Sequence, residues 1–319
     1  MDRLMLFDTS LVSENMGDRI IMDYCTEIIN EIFGDCFIAS VPTHDIIGER
    51  TYNYSKLAKY KVVCGTNLIN NRMNRRRQWR ISLSDSFHIN DLCLMGVGWW
   101  QYEDKKPNYY TRKLLSNLLG RNCLHSVRDE YTKIKLQEIG FSNVVNTACP
   151  TMWKLTPTHC MEIPTQKAER VITTLTDYKK DPTQDKALLR ILLKHYKECY
   201  LWIQSYDDYE YLKSLNVTGD IHIIPPSLRH YDKALHSGQF DYVGTRLHAG
   251  IRALNHKVRT VIVAVDNRAT EIAKDTKLNV IDRKDIGNML ESLICSEFDT
   301  MIELPTENIE KWKRQFRNE

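Results

Sequence analysis

Residues 241–250 have the sequence Asp241-Tyr242-Val243-Gly244-Thr245-Arg246-Leu247-His248-Ala249-Gly250. A short apolar strand ends at a glycine here, and a pattern typical of a helix follows within a few residues. The same alternation of strand and helix patterns extends over most of the chain. Such alternation predicts parallel sheets that are covered by helices on both faces. We therefore expect an α/β fold.

The alternation is interrupted once, near the middle of the chain. Residues 154–168 contain two prolines and show little periodicity. We therefore predict a linker over 154–168 between a first domain over 1–153 and a second over 169–319, the two facing each other across a cleft. The helical pattern over 307–317 is expected to return to the first domain. The predicted strands cover 4–7, 36–41, 61–64, 92–97, 123–127, 144–147, 171–175, 200–204, 221–224, 242–243, 260–265 and 280–281, with helical patterns between most of them.

Composition narrows the class of protein. A chain of 319 residues is long for one domain and suits two. Its net charge of +3 gives no reason to expect a nucleic-acid partner. No apolar run approaches the roughly 20 residues that a membrane span needs. None of the nine cysteines forms a Cys-x-x-Cys pair, so we expect reduced core cysteines, no metal site and a cytoplasmic location.

Arg246 and His248 are the first candidates for a functional site. They flank Leu247 at a predicted helix start, directly after Gly244 and Thr245. An arginine offers a rigid fork of donors to a carboxylate or phosphate, and a histidine can transfer a proton near neutral pH. A purely structural histidine is the alternative interpretation.

Two other strand-to-helix turns carry candidate residues. Asn15, Gly17 and Asp18 open the first predicted helix, where unpaired amides attract anions and glycine permits close approach of a ligand. Arg128 follows a predicted strand, at the sheet edge where ligands of α/β proteins bind. A capped turn is the alternative for the first segment, and an ion pair between Arg128 and Asp129 is the alternative for the second.

Two further segments suggest contacts with a sugar and with an anionic membrane or lipid. Trp99, Trp100 and Tyr102 can stack on a sugar ring or belong to the core. A nearby arginine-rich segment can contact an anionic membrane or a lipid pyrophosphate, or form a solvated loop. Its arginines are Arg72, Arg75, Arg76, Arg77 and Arg80.

Three of these segments, in order, resemble the polysaccharide pyruvyl transferase family. They are Asn15-x-Gly17-Asp18, then Val127-Arg128-Asp129, then Val243-Gly244-Thr245-Arg246-Leu247-His248, of which the last is the most specific. The resemblance spans nearly the whole chain. It implies two Rossmann-like domains in a GT-B-like arrangement.

The resemblance also implies an activity. Such an enzyme transfers pyruvate from phosphoenolpyruvate onto two hydroxyls of a cell-surface polysaccharide or its precursor as a ketal, and releases phosphate. Arg246 and His248 are then catalytic, and no cofactor or metal is required. The implied donor-binding residues are Arg128, Arg246, Asn15, Gly17, Asp18, Gly244 and Thr245.

The sequence leaves alternatives open for the kind of saccharide acceptor and for the identity of the donor. We expect a saccharide acceptor, lipid-linked or nucleotide-linked, bound at the inner membrane surface with Trp99, Trp100 and Tyr102 as its binding residues. A GT-B-like glycosyltransferase that uses a nucleotide sugar is the alternative activity. The sequence departs from the family pattern at Cys64-Gly65-Thr66-Asn67, where a run of glycines is common, and at Asp266-Asn267-Arg268, where a tyrosine and a lysine are common.

Overall fold

The computed structural model describes residues 1–317. It forms two compact units. The first unit comprises Met1–Ser13, Ile21–Trp153 and residues 304–317, and the second comprises Glu14–Ile20 and Lys154–Glu303. The sequence predicted a separate linker over 154–168, whereas the structure packs these residues into the second unit. They contain a short helix, α5 (Pro157–Met161), which is capped by Thr156 and held by a 2.8 Å contact between His159 Nε2 and the Leu254 carbonyl.

The first unit is built on parallel strands. Four of them pair in the order β2-β1-β3-β4, and β5 and β6 form a second, two-stranded sheet. An isolated parallel bridge between Val97 and Val127 joins the two sheets. The elements up to β6 are β1 (Arg3–Asp8), α1 (Met16–Phe33), β2 (Phe37–Pro42), α2 (Glu49–Leu57), β3 (Tyr60–Cys64), β4 (Cys93–Met95), α3 (Tyr109–Leu118), β5 (His125–Val127), α4 (Glu130–Gln137) and β6 (Val144–Asn146). The start of α1, up to Ile20, belongs to the second unit.

All six strands predicted for the first half are present. Helix α2 was not predicted, because its surface is mostly polar and Ser55 is the one residue of this helix that is buried. The C-terminal helix α12 (Thr306–Arg314) packs in the first unit, as the sequence predicted. Its Trp312 is fully buried and donates a 3.0 Å hydrogen bond from Nε1 to the Leu94 carbonyl.

The second unit is one parallel sheet of six strands in the order β12-β11-β10-β7-β8-β9. Helices alternate with the strands, which confirms the α/β prediction for this half. The strand order reverses between β7 and β10, and ligands of such folds bind at the carboxyl ends of strands beside that reversal. The elements are β7 (Arg170–Thr173), α6 (Pro182–His195), β8 (Glu198–Trp202), α7 (Tyr206–Leu215), β9 (Ile221–Ile224), α8 (Leu228–His236), β10 (Phe240–Gly244), α9 (Leu247–Asn255), β11 (Thr260–Ala264), α10 (Asn267–Thr276), β12 (Val280–Asp282) and α11 (Glu291–Cys295).

Candidate active site

The turn between β10 and α9 lies against the loop that follows β7. A side chain at Gly244 would overlap this loop, because its Cβ would lie 2.6 Å from Thr174 Oγ1. The Thr245 amide donates to the Thr174 carbonyl at 3.1 Å, and the Arg246 amide donates to Thr174 Oγ1 at 3.1 Å. Glycine is therefore required at position 244 for this close contact, and the amides of Thr245 and Arg246 hold the turn against the loop after β7.

The Arg246 side chain is 6% exposed and held by three protein acceptors. Its Nε donates to the Leu175 carbonyl at 2.9 Å, and its Nη2 donates to Asp177 at 2.8 Å and to Asp208. Within residues 1–317, its Nη1 has no protein acceptor. One edge of the guanidinium is thus fixed by the protein, and the two N–H groups of Nη1 are left for another acceptor.

Arg246, Asp177 and Asp208 form a charged cluster, in which Asp208 is the more deeply buried carboxylate. Burial raises the pKa of Asp208 to about 6, and the neighbouring Arg246 opposes that rise without cancelling it. For Arg246, burial opposes the charged form, but Asp208, Tyr178 and Asp177 outweigh it and raise the pKa of the guanidinium. The surroundings of Arg246 and Asp208 therefore favour the charged form of the arginine more strongly than the charged form of the aspartate. The Oδ2 atom of Asp208 is buried and has no partner among the described residues.

Tyr178 extends the cluster along the sheet edge. Its ring lies 5.0 Å from the Arg246 guanidinium and 5.5 Å from that of Arg268, and it is 48% exposed. Arg268 also donates to Asp266, which caps α10, and to the Tyr178 hydroxyl. Sequence reasoning did not identify Asp177, Tyr178, Asp208 or Arg268 as site residues. Their positions just beyond the ends of β7, β8 and β11 were the signal that could have found them.

His248 is the second residue of α9 and is buried. Arg246 occupies the N-cap position of this helix, and its side chain makes no capping hydrogen bond. The N-cap side chain therefore does not satisfy the first amides of α9, and helix starts of this kind favour anions. The structure places a histidine, an arginine and an uncapped helix start within three consecutive residues.

Arg128 occupies the corresponding kind of position in the first unit, after β5. It is 1% exposed, and its Nε donates to Asp129 at 3.2 Å while its Nη2 donates to Asn67. A Cβ at Gly98 would overlap the guanidinium. Among the described residues Nη1 of Arg128 has no acceptor, so the ion pair with Asp129 and an available guanidinium edge are both present.

Comparison with known proteins identifies the family. The sequence model described as polysaccharide pyruvyl transferase matches residues 15–267, which include all three motifs. The chain belongs to the polysaccharide pyruvyl transferase family. It is therefore a transferase. No curated protein matches the sequence significantly.

Solved structures with a similar fold support the predicted GT-B-like class for this pyruvyl transferase family member. The chain is similar to UDP-GlcNAc 2-epimerase of Methanocaldococcus jannaschii in complex with UDP-GlcNAc and UDP, with a TM-score of 0.57, 10% identity, and 99% of this chain and 98% of that chain covered. It is also similar to S. aureus MnaA with UDP, with a TM-score of 0.54, 12% identity, and 92% and 88% covered. At these identities the likeness concerns the fold alone.

The Asn15 motif of the transferase lies in the second unit. Asn15 Oδ1 accepts from the Gly17 amide at 2.9 Å, and the Asn15 carbonyl accepts from the Asp18 amide at 3.1 Å. The Met16 amide donates to the carbonyl of Gln204, which follows β8. The capped turn, which was the alternative interpretation of this segment, is therefore present, and it adjoins the same sheet edge that carries Arg246.

The three aromatic candidates of the transferase differ in exposure. Trp99 is fully buried in the core, and its Nε1 donates to Glu103 at 2.9 Å, so its ring has no free face for a sugar. The assignment of Trp99 to the acceptor site was therefore wrong. Trp100 is half-buried beneath the guanidinium of Arg76, 4.5 Å from its ring centre. Tyr102 is exposed and packs edge-on against Tyr131.

The arginine-rich segment of the transferase forms an exposed surface. Arg76 pairs with Glu103 at 3.2 Å, whereas the tryptophan of the segment, Trp79, is buried against Phe7. In the part of the chain that the structure describes, no helix combines the length and the apolar character needed to span a membrane. Arg72, Arg75, Arg76, Arg77 and Arg80 are all exposed.

Proposed function

We propose that the protein transfers pyruvate from phosphoenolpyruvate onto two hydroxyls of a sugar as a ketal and releases phosphate. The observation that carries this proposal is the state of Arg246, whose Nη1 has no acceptor within residues 1–317 and which stands at the uncapped start of α9. A guanidinium edge beside a helix start suits a carboxylate or phosphate. Arg128, whose Nη1 also has no acceptor among the described residues, is the second arginine that we propose for donor binding.

The chemistry requires proton transfer as well as charge stabilisation. Both sugar oxygens bond to C2 of the donor while its bond to the phosphate oxygen breaks. The two hydroxyl protons are displaced, of which one ends on C3, forming the methyl group, and the other leaves with phosphate. We assign the proton transfer to His248, since imidazole exchanges protons near neutral pH and this residue directly follows the proposed anion site. No step of this scheme needs a metal or a cofactor.

We propose a saccharide acceptor that is a precursor of a cell-surface polysaccharide, bound at the cytoplasmic face of the membrane. The exposed arginines between Arg72 and Arg80 support this location, because clustered guanidiniums bind anionic lipid surfaces. A lipid-linked saccharide carries its phosphates at that surface. Trp100 and Tyr102 are the aromatic residues that we retain for contact with the acceptor.

Glycosyl transfer from a nucleotide sugar is the second candidate. Two of the similar solved structures are complexes with UDP or with UDP-GlcNAc and UDP. In this chain Arg268, with its Asp266 and Tyr178 contacts, occupies the region where the family commonly has a tyrosine and a lysine. A diphosphate would also suit a site with two guanidiniums.

Thermal shift distinguishes these donors directly. Ligand binding to the native state raises the unfolding midpoint, since it adds RT ln(1 + [L]/Kd) to stability. We expect phosphoenolpyruvate to raise the midpoint and UDP, GDP and CMP sugars to leave it unchanged. Phosphate release from phosphoenolpyruvate in the presence of a saccharide acceptor then tests the reaction. Consumption of a nucleotide sugar without phosphate release from phosphoenolpyruvate would replace the proposal with glycosyl transfer.

A further inference from the structure

Cys93, Cys123 and His125 lie together in the first unit. Cys93 begins β4, His125 begins β5, and Cys123 precedes His125 by two residues. Their potential ligand atoms all lie within 4.8 Å of one another. Cys93 and His125 are buried and Cys123 is half-buried. The sequence did not predict this group, because its members share no Cys-x-x-Cys spacing and come from two different strands.

These residues occupy the join between the two sheets of the first unit. Side chains replace part of the backbone hydrogen bonding there: the Leu94 amide donates to His125 Nδ1 at 3.3 Å, and the Gly96 amide donates to Ser126 Oγ at 2.8 Å. The backbone bridge between these strands is the isolated one at Val97 and Val127. The join is thus a place where an additional cross-link would add stability.

The histidine is oriented as a metal ligand would be. Its Nε2 lies 2.9 Å from the Gly120 carbonyl and donates to it, so the lone pair is on Nδ1. A second-shell hydrogen bond from one ring nitrogen to a carbonyl is the usual arrangement for a histidine that binds metal through the other. Nδ1 accepts a long hydrogen bond of 3.3 Å from the Leu94 amide, and a metal ion bound at Nδ1 would replace this bond.

The spacing and the charge both suit zinc. Tetrahedral Zn²⁺ with Zn–S of about 2.3 Å and Zn–N of about 2.0 Å separates sulfur from nitrogen by about 3.5 Å. Cys123 Sγ lies 3.9 Å from His125 Nδ1, so a contraction of a few tenths of an ångström is sufficient. Two thiolates neutralise a divalent ion, which a buried site requires, and sulfur ligands favour zinc over magnesium or calcium.

We propose that Cys93, Cys123 and His125 bind one Zn²⁺ ion that fastens β4 to β5. Binding forms two Zn–S bonds and one Zn–N bond and releases the two thiol protons. Water fills the fourth position from the side of half-buried Cys123. Strand β5 leads into Arg128, and β4 leads toward Gly98, which lies against the Arg128 guanidinium. The ion therefore stabilises the pair of strands that positions Arg128.

The test uses the reduced protein and the metal alone. After loading with Zn²⁺ and removal of free metal, we expect one zinc per chain by elemental analysis and a higher unfolding temperature. Loading with Co²⁺ should give the sulfur-to-cobalt charge-transfer band and the intense visible bands of a tetrahedral thiolate site. Cys123→Ser should lower metal affinity at least tenfold. Cys36 is another half-buried cysteine of the first unit, so the Cys36→Ser variant is the control and should bind zinc as the native chain does.

Two results would overturn the proposal. One is equal zinc binding by the native chain and by Cys123→Ser. The other is the absence of zinc and of the cobalt bands in the reduced native chain. The cobalt spectrum of the native chain decides the matter even if a variant fails to fold. Neither readout depends on the proposed transferase reaction.

Discussion

Arg246 and Asp208 form a buried ion pair although they lie 38 positions apart in the chain. Asp208 is in the first turn of α7, and Arg246 precedes α9. The Asp177 amide also donates to Asp208 at 3.1 Å, so one carboxylate joins the loop after β7 to the arginine after β10. Asp208 therefore fixes the edge of the guanidinium that faces the protein, while Nη1 at the opposite edge has no acceptor within residues 1–317.

Asp208→Asn is expected to change how stability depends on pH. Since burial raises the pKa of Asp208 from 3.8 to about 6, the native chain binds this proton more tightly than the unfolded chain. The contribution of Asp208 to the free energy of unfolding therefore falls as pH rises through that window. Asparagine does not ionise, so the variant should lack this fall. Urea unfolding of both proteins at about pH 4 and about pH 7 measures it; identical pH dependence would contradict the assignment.

Arg246→Lys is expected to raise KM for the donor roughly 10–100-fold. Lysine cannot reproduce the planar fork, and a hydrogen bond to a charged group contributes about 1.5–3 kcal/mol. Steady-state phosphate release at varied phosphoenolpyruvate measures the change. Arg252→Lys is the matched control, because Arg252 is a buried arginine within α9 that pairs with an aspartate, Asp232, at 2.6 Å. Equal KM values for the two variants would remove Arg246 from donor binding.

His248→Ala is expected to lower kcat by roughly 10²–10⁴ while leaving donor affinity largely intact, as for an acid–base group. Single-turnover kinetics and thermal shift with phosphoenolpyruvate separate the two quantities. His159→Ala, which removes a half-buried histidine that contacts the Leu254 carbonyl, should keep near-native kcat. Near-normal turnover of His248→Ala would show that the proton is transferred by another group.

Gly98→Ala is expected to lower kcat/KM strongly, because the added Cβ would overlap the Arg128 guanidinium and displace it. Gly48→Ala is the control in the same unit, since its Cβ would meet no atom within 4 Å and its φ of −139° is open to alanine. Both variants should be compared by phosphate release and by unfolding temperature. An active Gly98→Ala enzyme with native KM would mean that the position of Arg128 does not matter for the donor.

Reversal of Arg75, Arg76 and Arg77 to glutamate is expected to weaken binding to anionic vesicles, with the difference shrinking as salt rises. Sedimentation with vesicles of mixed neutral and anionic lipid measures it. The control reverses three exposed basic residues that lie outside the segment, Lys56, Arg190 and Arg229, and changes net charge equally. Equal loss in both variants would indicate a general charge effect rather than a membrane-binding surface.

The sequence alone predicted most of the secondary structure. The strands were recognisable because a buried parallel strand is a short continuous apolar run bounded by turn residues, which is a local property. The Gly244-to-His248 motif was recognisable for the same reason, since a tight turn and the helix start that follows it use neighbouring residues. Helix α2 was missed because a helix with a mostly polar surface lacks the apolar stripe on which the prediction depends.

Contacts between distant segments were decided only by the tertiary structure. Parallel strands are joined by long crossovers, so residues that meet at one sheet edge come from loops far apart in the chain. That is why Asp177 and Asp208 around Arg246 could not be derived from spacing, and why Cys93 meets His125. Trp99 is a second example of what the sequence could not decide. Its aromatic ring suggested a sugar site, but whether a tryptophan faces solvent or the core depends on which elements cover it. The sequence therefore determined the elements and the chemistry of each turn, and packing determined which of these groups meet.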